Sequence, residues 1–169
     1  LAAGLFILPA IAFNAVTSVA GGRVMDAHGA WPLLPIGFAL IAAGQIAISL
    51  TAASMNIGVV VALTVVVYAG VGLVLSPSQT AGLETLPAAE HPHGTALLNT
   101  WNMIAASFGP SLFIGLLSSS AAVAGAAGTA ANVAQAFGFA AAVRVAAVIA
   151  VVGFIVSLVY ARRETHMSH

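Results

Sequence analysis

The residues able to do chemistry in this chain of 169 are few and unevenly placed. Arg23 and Asp26 lie in Gly22-Arg23-Val24-Met25-Asp26-Ala27-His28-Gly29-Ala30, where a glycine, an acid and a second glycine are separated by three and then two residues. Gly22 lets two helix ends approach closely, Asp26 can accept backbone N–H bonds near the start of the next helix, and Gly29 suits the turn between them. Two readings of Arg23 and Asp26 follow. In one they are a solvated surface pair contributing about 0–1 kcal/mol; in the other the acid beside helix ends favours one packing of the molecule over another, a conformational gate.

Further on, Arg144 is a single charge inside an apolar stretch. It can snorkel roughly 10 Å to the nearer membrane surface, or it can be paired or face a substrate. Asn14, Gln45, Asn99, Trp101 and Asn102 are the polar or amphipathic side chains placed to line a cavity, and each can equally bond a neighbouring helix. Gly109-Pro110 combines close helix contact with a lost backbone hydrogen bond, giving either simple packing or a bend. Gly70 and Gly72 read as packing positions. His91 and His93, with His166 and His169, lack a supporting carboxylate pattern, so they read as solvated histidines and no metal is expected. Metal-binding helix motifs, nucleophile elbows and phosphate loops are absent, so neither an enzyme nor a cofactor is expected.

The elements that hold these residues are dictated by composition. The sequence is 61% hydrophobic and 5% charged, against about 45–50% and about 25% in soluble domains. So few charges cannot solvate a globular surface, and the partner implied is a lipid bilayer. With four basic and four acidic residues, the balance also excludes nucleic acid as a partner. The sequence has no cysteine, which removes disulfides and thiolate metal sites.

A membrane helix needs about 20 apolar residues because unpaired backbone groups are too costly in hydrocarbon. Stretches at about 1–20, 32–53, 57–75, 95–118 and 137–160 meet that requirement, and 161–169 reads as a polar tail. The fold expected is all-α integral membrane, with five transmembrane helices in one domain over 1–160. By parity, the Arg23–Asp26 segment, the segment with Glu84, Glu90, His91 and His93, and the tail with Arg162 and Arg163 share one side. The other side has only the turn at 51–56 and the Ala/Gly/Ser run 118–135, without charge. The positive-inside rule makes the arginine-bearing side, and hence the C-terminus, cytoplasmic. The run 118–135 reads as a loosely packed amphipathic turn of helix or as a flexible loop. Leu1 is not an initiator methionine and no signal peptide is recognisable, so the chain reads as a fragment.

The glycine–aspartate–glycine segment between two spans resembles the signature loop of the major facilitator superfamily. A second stretch, Ser76-Pro77-Ser78-Gln79-Thr80-Ala81-Gly82-Leu83, then Leu86-Pro87, Pro92-His93-Gly94-Thr95-Ala96 and Asn99-Thr100, resembles a late loop and helix of the fourteen-helix drug:proton antiporters. These are the multidrug exporters of the EmrB/QacA type, including lincomycin-resistance permeases. Leu8-Pro9 through Asn14 to Gly22 fits the same family. The resemblance implies that the spans are the last five of fourteen, part of a C-terminal six-helix bundle, in a bacterial inner membrane. It also implies partnership with a missing N-terminal half, and amphipathic small molecules leaving as protons enter. The sequence departs from the family loop at Ala27, Ala30 and Trp31, where basic residues are usual, and no acid lies in any predicted span. An importer of a small nutrient and a non-transporting truncated membrane module remain as alternatives.

Overall fold

The computed structural model describes residues 2–51, 56–128 and 130–167. Five helices account for nearly all of them: α1 (Ala2–His28), α2 (Leu33–Thr51), α3 (Ile57–Glu84), α4 (His91–Ala126) and α5 (Ala131–Met167), with a 3-10 turn at Ala88–Glu90 before α4. All five are long and apolar enough to cross a membrane. In lipid, a helix is the conformation in which a single segment satisfies its own backbone. Side-chain hydroxyls follow the same logic, since Thr17, Thr51, Thr64, Thr100, Ser107 and Ser111 each donate to the carbonyl four residues earlier.

The helices do not pack in chain order. Extensive contacts join α1 to α3, α3 to α2, α2 to α5 and α5 to α4, while α1 barely meets α2 and α4 barely meets α3. The result is an open row, α1–α3–α2–α5–α4. Without a hydrophobic drive between helices in lipid, close backbone approach must supply the attraction, and small residues mark each crossing. A Cβ on Gly70 would stand 2.6 Å from the Gly37 carbonyl oxygen of α2, and one on Gly72 would stand 2.7 Å from the Asn14 carbonyl oxygen of α1. Two residues turn a helix by about 200°, so these glycines let α3 be gripped from opposite sides. Gly44 receives Val67 on the α2–α3 seam, Gly153 receives Phe38 where α2 meets α5, and Gly138 abuts Leu117 and Ala121 where α5 meets α4. Between the seams lie two apolar clusters. One is built on Ala30, Leu34, Val74 and Ala81, the other on Ile48, Val67 and Val143 with Phe113 and Phe139 against it. The two phenyl rings meet edge to face at 6.1 Å.

Several sequence expectations need correction. The first helix does not stop near position 20; it runs through Gly21, Gly22, Arg23 and Asp26 to His28. Of the expected loop residues, only Gly29 lies in the turn, with φ of 78°, a left-handed conformation that glycine adopts without strain. Nor does α3 end near 75. It continues through Pro77, which is fully buried, to Glu84. Serine-proline and paired glycines punctuate soluble helices, but membrane helices tolerate both because neighbouring groups re-satisfy the backbone. The alanine-rich run is mostly helix: α4 extends to Ala126, a turn follows with Gly128 at φ of 80°, and α5 begins at Ala131. The expected tail is likewise the last part of α5, helical to Met167.

Candidate transport surfaces

The α1–α2 corner is compact and mostly helical. The Gly29 N–H donates to the Met25 carbonyl at 2.8 Å, closing α1, and Leu33 and Leu34 N–H groups reach back to the Ala30 carbonyl to open α2. Ala30 is buried, whereas Arg23, Asp26 and His28 are exposed. Among the described residues, no hydrogen bond or ion pair engages Asp26, so the expected capping of the next helix by its carboxylate does not occur here. Gly22 is not the close-approach glycine either, since nothing stands within 4 Å of a Cβ built on it. Gly21 is, with Leu73 of α3 at 3.4 Å. One residue rotates the helix by about 100°, which turns Gly22 off the seam.

The residues expected to line a cavity separate into three locations. Asn14 donates from Nδ2 to the Tyr68 carbonyl at 2.9 Å, a bond between α1 and α3 spanning 54 positions in sequence. Its amide therefore joins two helices. Gln45 is half-buried on α2. Asn99, Trp101 and Asn102 are exposed on α4, as are Gly109 and Pro110. The helix passes through Pro110 without interruption over 36 residues, and nothing lies within 4 Å of a Cβ built on Gly109. The close contact expected at that glycine has no partner among the described residues.

Arg144 lies apart from these, beside the C-terminal end of α2 and so at the opposite end of that helix from the α1–α2 corner. Its Nε donates to the Ser49 hydroxyl oxygen at 3.1 Å, linking α5 to α2. The two residues line a cleft of about 220 Å³ with Leu50, Val133, Phe137 and Ala140. Ser49 was not singled out from the sequence, although a serine two positions before a helix end in an apolar run is a visible signal. A second cleft of about 410 Å³ opens between α2, α3 and α5 at the other end, where Phe38, Ser78, Thr85 and Tyr160 line it. Ser78, Ala81 and Gly82 fall inside the stretch that carried the family resemblance, but the cleft itself was not legible, because α2, α3 and α5 meet there only in the packed bundle.

Comparison with known proteins supplies what the corner and the row of helices leave open. The chain is 34% identical to the MFS-type transporter YcnB of Bacillus subtilis over 154 residues, which is 91% of this chain and 32% of that protein. It is 30% identical to the lincomycin resistance protein LmrB of Listeria monocytogenes over 116 residues, 69% of this chain and 25% of that protein. The chain thus spans about a third of the first relative's length and a quarter of the second's. No solved structure matches it. The sequence profile described as Major Facilitator Superfamily matches residues 1–110, which takes in the α1–α2 corner, the α3 seams and α4 as far as Pro110. A match of that extent goes well beyond one shared corner motif: this multi-pass membrane chain belongs to the major facilitator superfamily.

Proposed function

We propose that the chain forms part of the C-terminal bundle of a proton-coupled multidrug exporter of the fourteen-helix kind, lying in a bacterial cytoplasmic membrane with its C-terminus inside. The observation that carries this reading is the bare face of α4. Every residue from Asn99 to Leu112 is exposed, and Thr95, Asn99, Asn102, Ala106 and Gly109 follow one another at helical spacing. A stripe of amide, hydroxyl and small side chains gains little from lipid and is suited to another helix or a polar cleft. That is the surface expected of a helix that meets a second bundle across a substrate path, with the two bundles rocking about a site near the midplane.

The name of the lincomycin resistance relative supports a drug as the cargo. On this reading Arg23, Asp26 and Gly29 form a hinge at the corner between α1 and α2, and Gly109-Pro110 lets α4 flex where the bundles meet. The acids of this chain, Asp26, Glu84, Glu90 and Glu164, all fall at the arginine-bearing ends of helices or in the connection between them. Proton carriers within the membrane are therefore assigned to the remainder of the exporter.

The test is dye accumulation in an efflux-deficient bacterium expressing either the full-length parent or residues 1–169. The parent is expected to extrude a fluorescent cationic dye when energised, and residues 1–169 to insert without extruding it. Extrusion by residues 1–169 alone would overturn the partial-bundle reading. A parent that takes up a nutrient and extrudes no dye would be an importer, and one that moves nothing would be a non-transporting module.

A further inference from the structure

We infer that the Arg144–Ser49 cleft is a binding site for the anionic head of an amphiphile, a phosphate or carboxylate held by the guanidinium with an apolar body along α5. This site stands apart from the path proposed between bundles. Three observations converge on it.

The first is charge. Arg144 is the one charged residue of α5 between Ala131 and Tyr160. Glu164, the acid on the same helix, is 20 residues away, or about 30 Å along the axis; the other acids also fall at that far end. An uncompensated cation at membrane depth is costly, so such residues are normally paired or open to water.

The second is geometry. The bond from Nε to the buried Ser49 oxygen at 3.1 Å fixes the guanidinium's orientation, and among the described residues no other group engages it. The Nη nitrogens are thereby left to a ligand. Guanidinium presents its N–H groups as a planar fork matched to the paired oxygens of phosphate and carboxylate. Ser49 is two residues before the last described residue of α2, about 3 Å along its axis, so the fork lies close to the end of that helix.

The third is shape. Val133, Phe137, Ala140 and Arg144 follow at spacings of four, three and four, forming a stripe of α5 that walls the cleft with Ala136 beside it. Leu50 closes it from α2 and is 76% exposed. A cation at one end and an apolar wall about 16 Å long beyond it, from residue 144 to residue 133, select an amphiphile and not a simple anion. The wall runs from Arg144 toward the start of α5, past the last described residue of α2 and away from the bilayer centre. A free alkyl phosphate or fatty acid is therefore the source that fits, and an anionic phospholipid of the bilayer, whose tails point inward, is the competing outcome of the test.

Native mass spectrometry of residues 1–169 in dodecyl maltoside tests the assignment with phosphatidylglycerol, dodecyl phosphate, phosphatidylcholine and inorganic phosphate as probes. Dodecyl phosphate is expected to be retained at least about tenfold more than inorganic phosphate, and R144Q to lose that retention while R144K keeps most of it. Phosphatidylglycerol retained above phosphatidylcholine, with the same dependence on Arg144, identifies bilayer lipid as the source. Retention of dodecyl phosphate alone identifies a free amphiphile. Helicity and monodispersity of R144Q and R144K are checked in parallel, and if R144Q misfolds the R144K comparison and the tail dependence decide. Retention equal in wild type and a folded R144Q, or inorganic phosphate held as well as dodecyl phosphate, would overturn the proposal.

Discussion

Gly37 and Gly70 stand against each other's backbone across the α2–α3 seam. A Cβ on Gly37 would lie 3.0 Å from the Gly70 carbonyl oxygen, and a Cβ on Gly70 would lie 2.6 Å from the Gly37 carbonyl oxygen. Neither oxygen can swing aside as a side-chain tip could, because each is held in its own helix ladder. The helices must move apart to admit a methyl group.

Gly70→Ala is therefore expected to lower stability by about 1–3 kcal/mol, the usual cost of overpacking a close contact. Gly109→Ala in the same chain is expected to be neutral or slightly stabilising, since a Cβ there meets nothing within 4 Å and alanine is the better helix former. Thermal unfolding of both variants in detergent gives the comparison. Equal midpoints for the two would mean that the seam is looser than its geometry states.

Asn14→Leu removes the bond to the Tyr68 carbonyl. Interhelical hydrogen bonds in membrane proteins average about 0.6 kcal/mol and reach about 1.7, so a loss within that range is expected, measured by titration with a denaturing detergent. Asn99→Leu serves as the contrast, because Asn99 is exposed and makes no hydrogen bond among the described residues. A larger loss for Asn99→Leu than for Asn14→Leu would contradict the assignment of Asn14 as the interhelical tie.

Residues 1–169 contain no cysteine, so in a parent cleared of any cysteine elsewhere only introduced positions report topology. Single cysteines at Gly125, His28 and Glu90 in the full-length parent are expected to react with a membrane-impermeant reagent in intact cells only at position 125. Labelling at 28 and 90 with none at 125 would reverse the proposed orientation.

For Asp26→Ala in the full-length parent, the expectation is reduced transport at unchanged membrane abundance. Asp26 is exposed and takes part in no described hydrogen bond, so its removal costs this bundle little, and any effect must come from contacts made during the transport cycle. Normal efflux at normal expression would leave Asp26 as a solvated acid.

The five spans were legible because hydrocarbon imposes a length and an apolarity that few other structures require. Gly29 was legible too, since a turn after a helix calls for a residue free to adopt positive φ. Helix ends were not: the breakers at Gly21-Gly22 and Ser76-Pro77 carry less weight where a broken ladder can be repaired by neighbours. Gly22 in place of Gly21 shows a different failure, because a spacing motif identifies a neighbourhood while the seam is decided by a rotation of about 100°. Arg144 was visible as an anomaly, but its partner Ser49 lies 95 positions away. Only the packing of α5 on α2 brings them together.

The order of the row also constrains how the chain can be made. Asn14 and Tyr68 are 54 positions apart, so at about 5–20 residues per second of synthesis α1 waits roughly 3–11 seconds for its principal neighbour. Meanwhile α2, which it scarcely touches, is its sole companion from the row. In a nascent chain arrested after Thr51, α1 and α2 would thus be inserted with little contact between them, and crosslinks between positions 14 and 68 should form only when the arrest point lies well beyond Tyr68. Early assembly must tolerate an α1 not yet joined to α3, its principal neighbour in the row, which is still unsynthesised when α1 enters the bilayer.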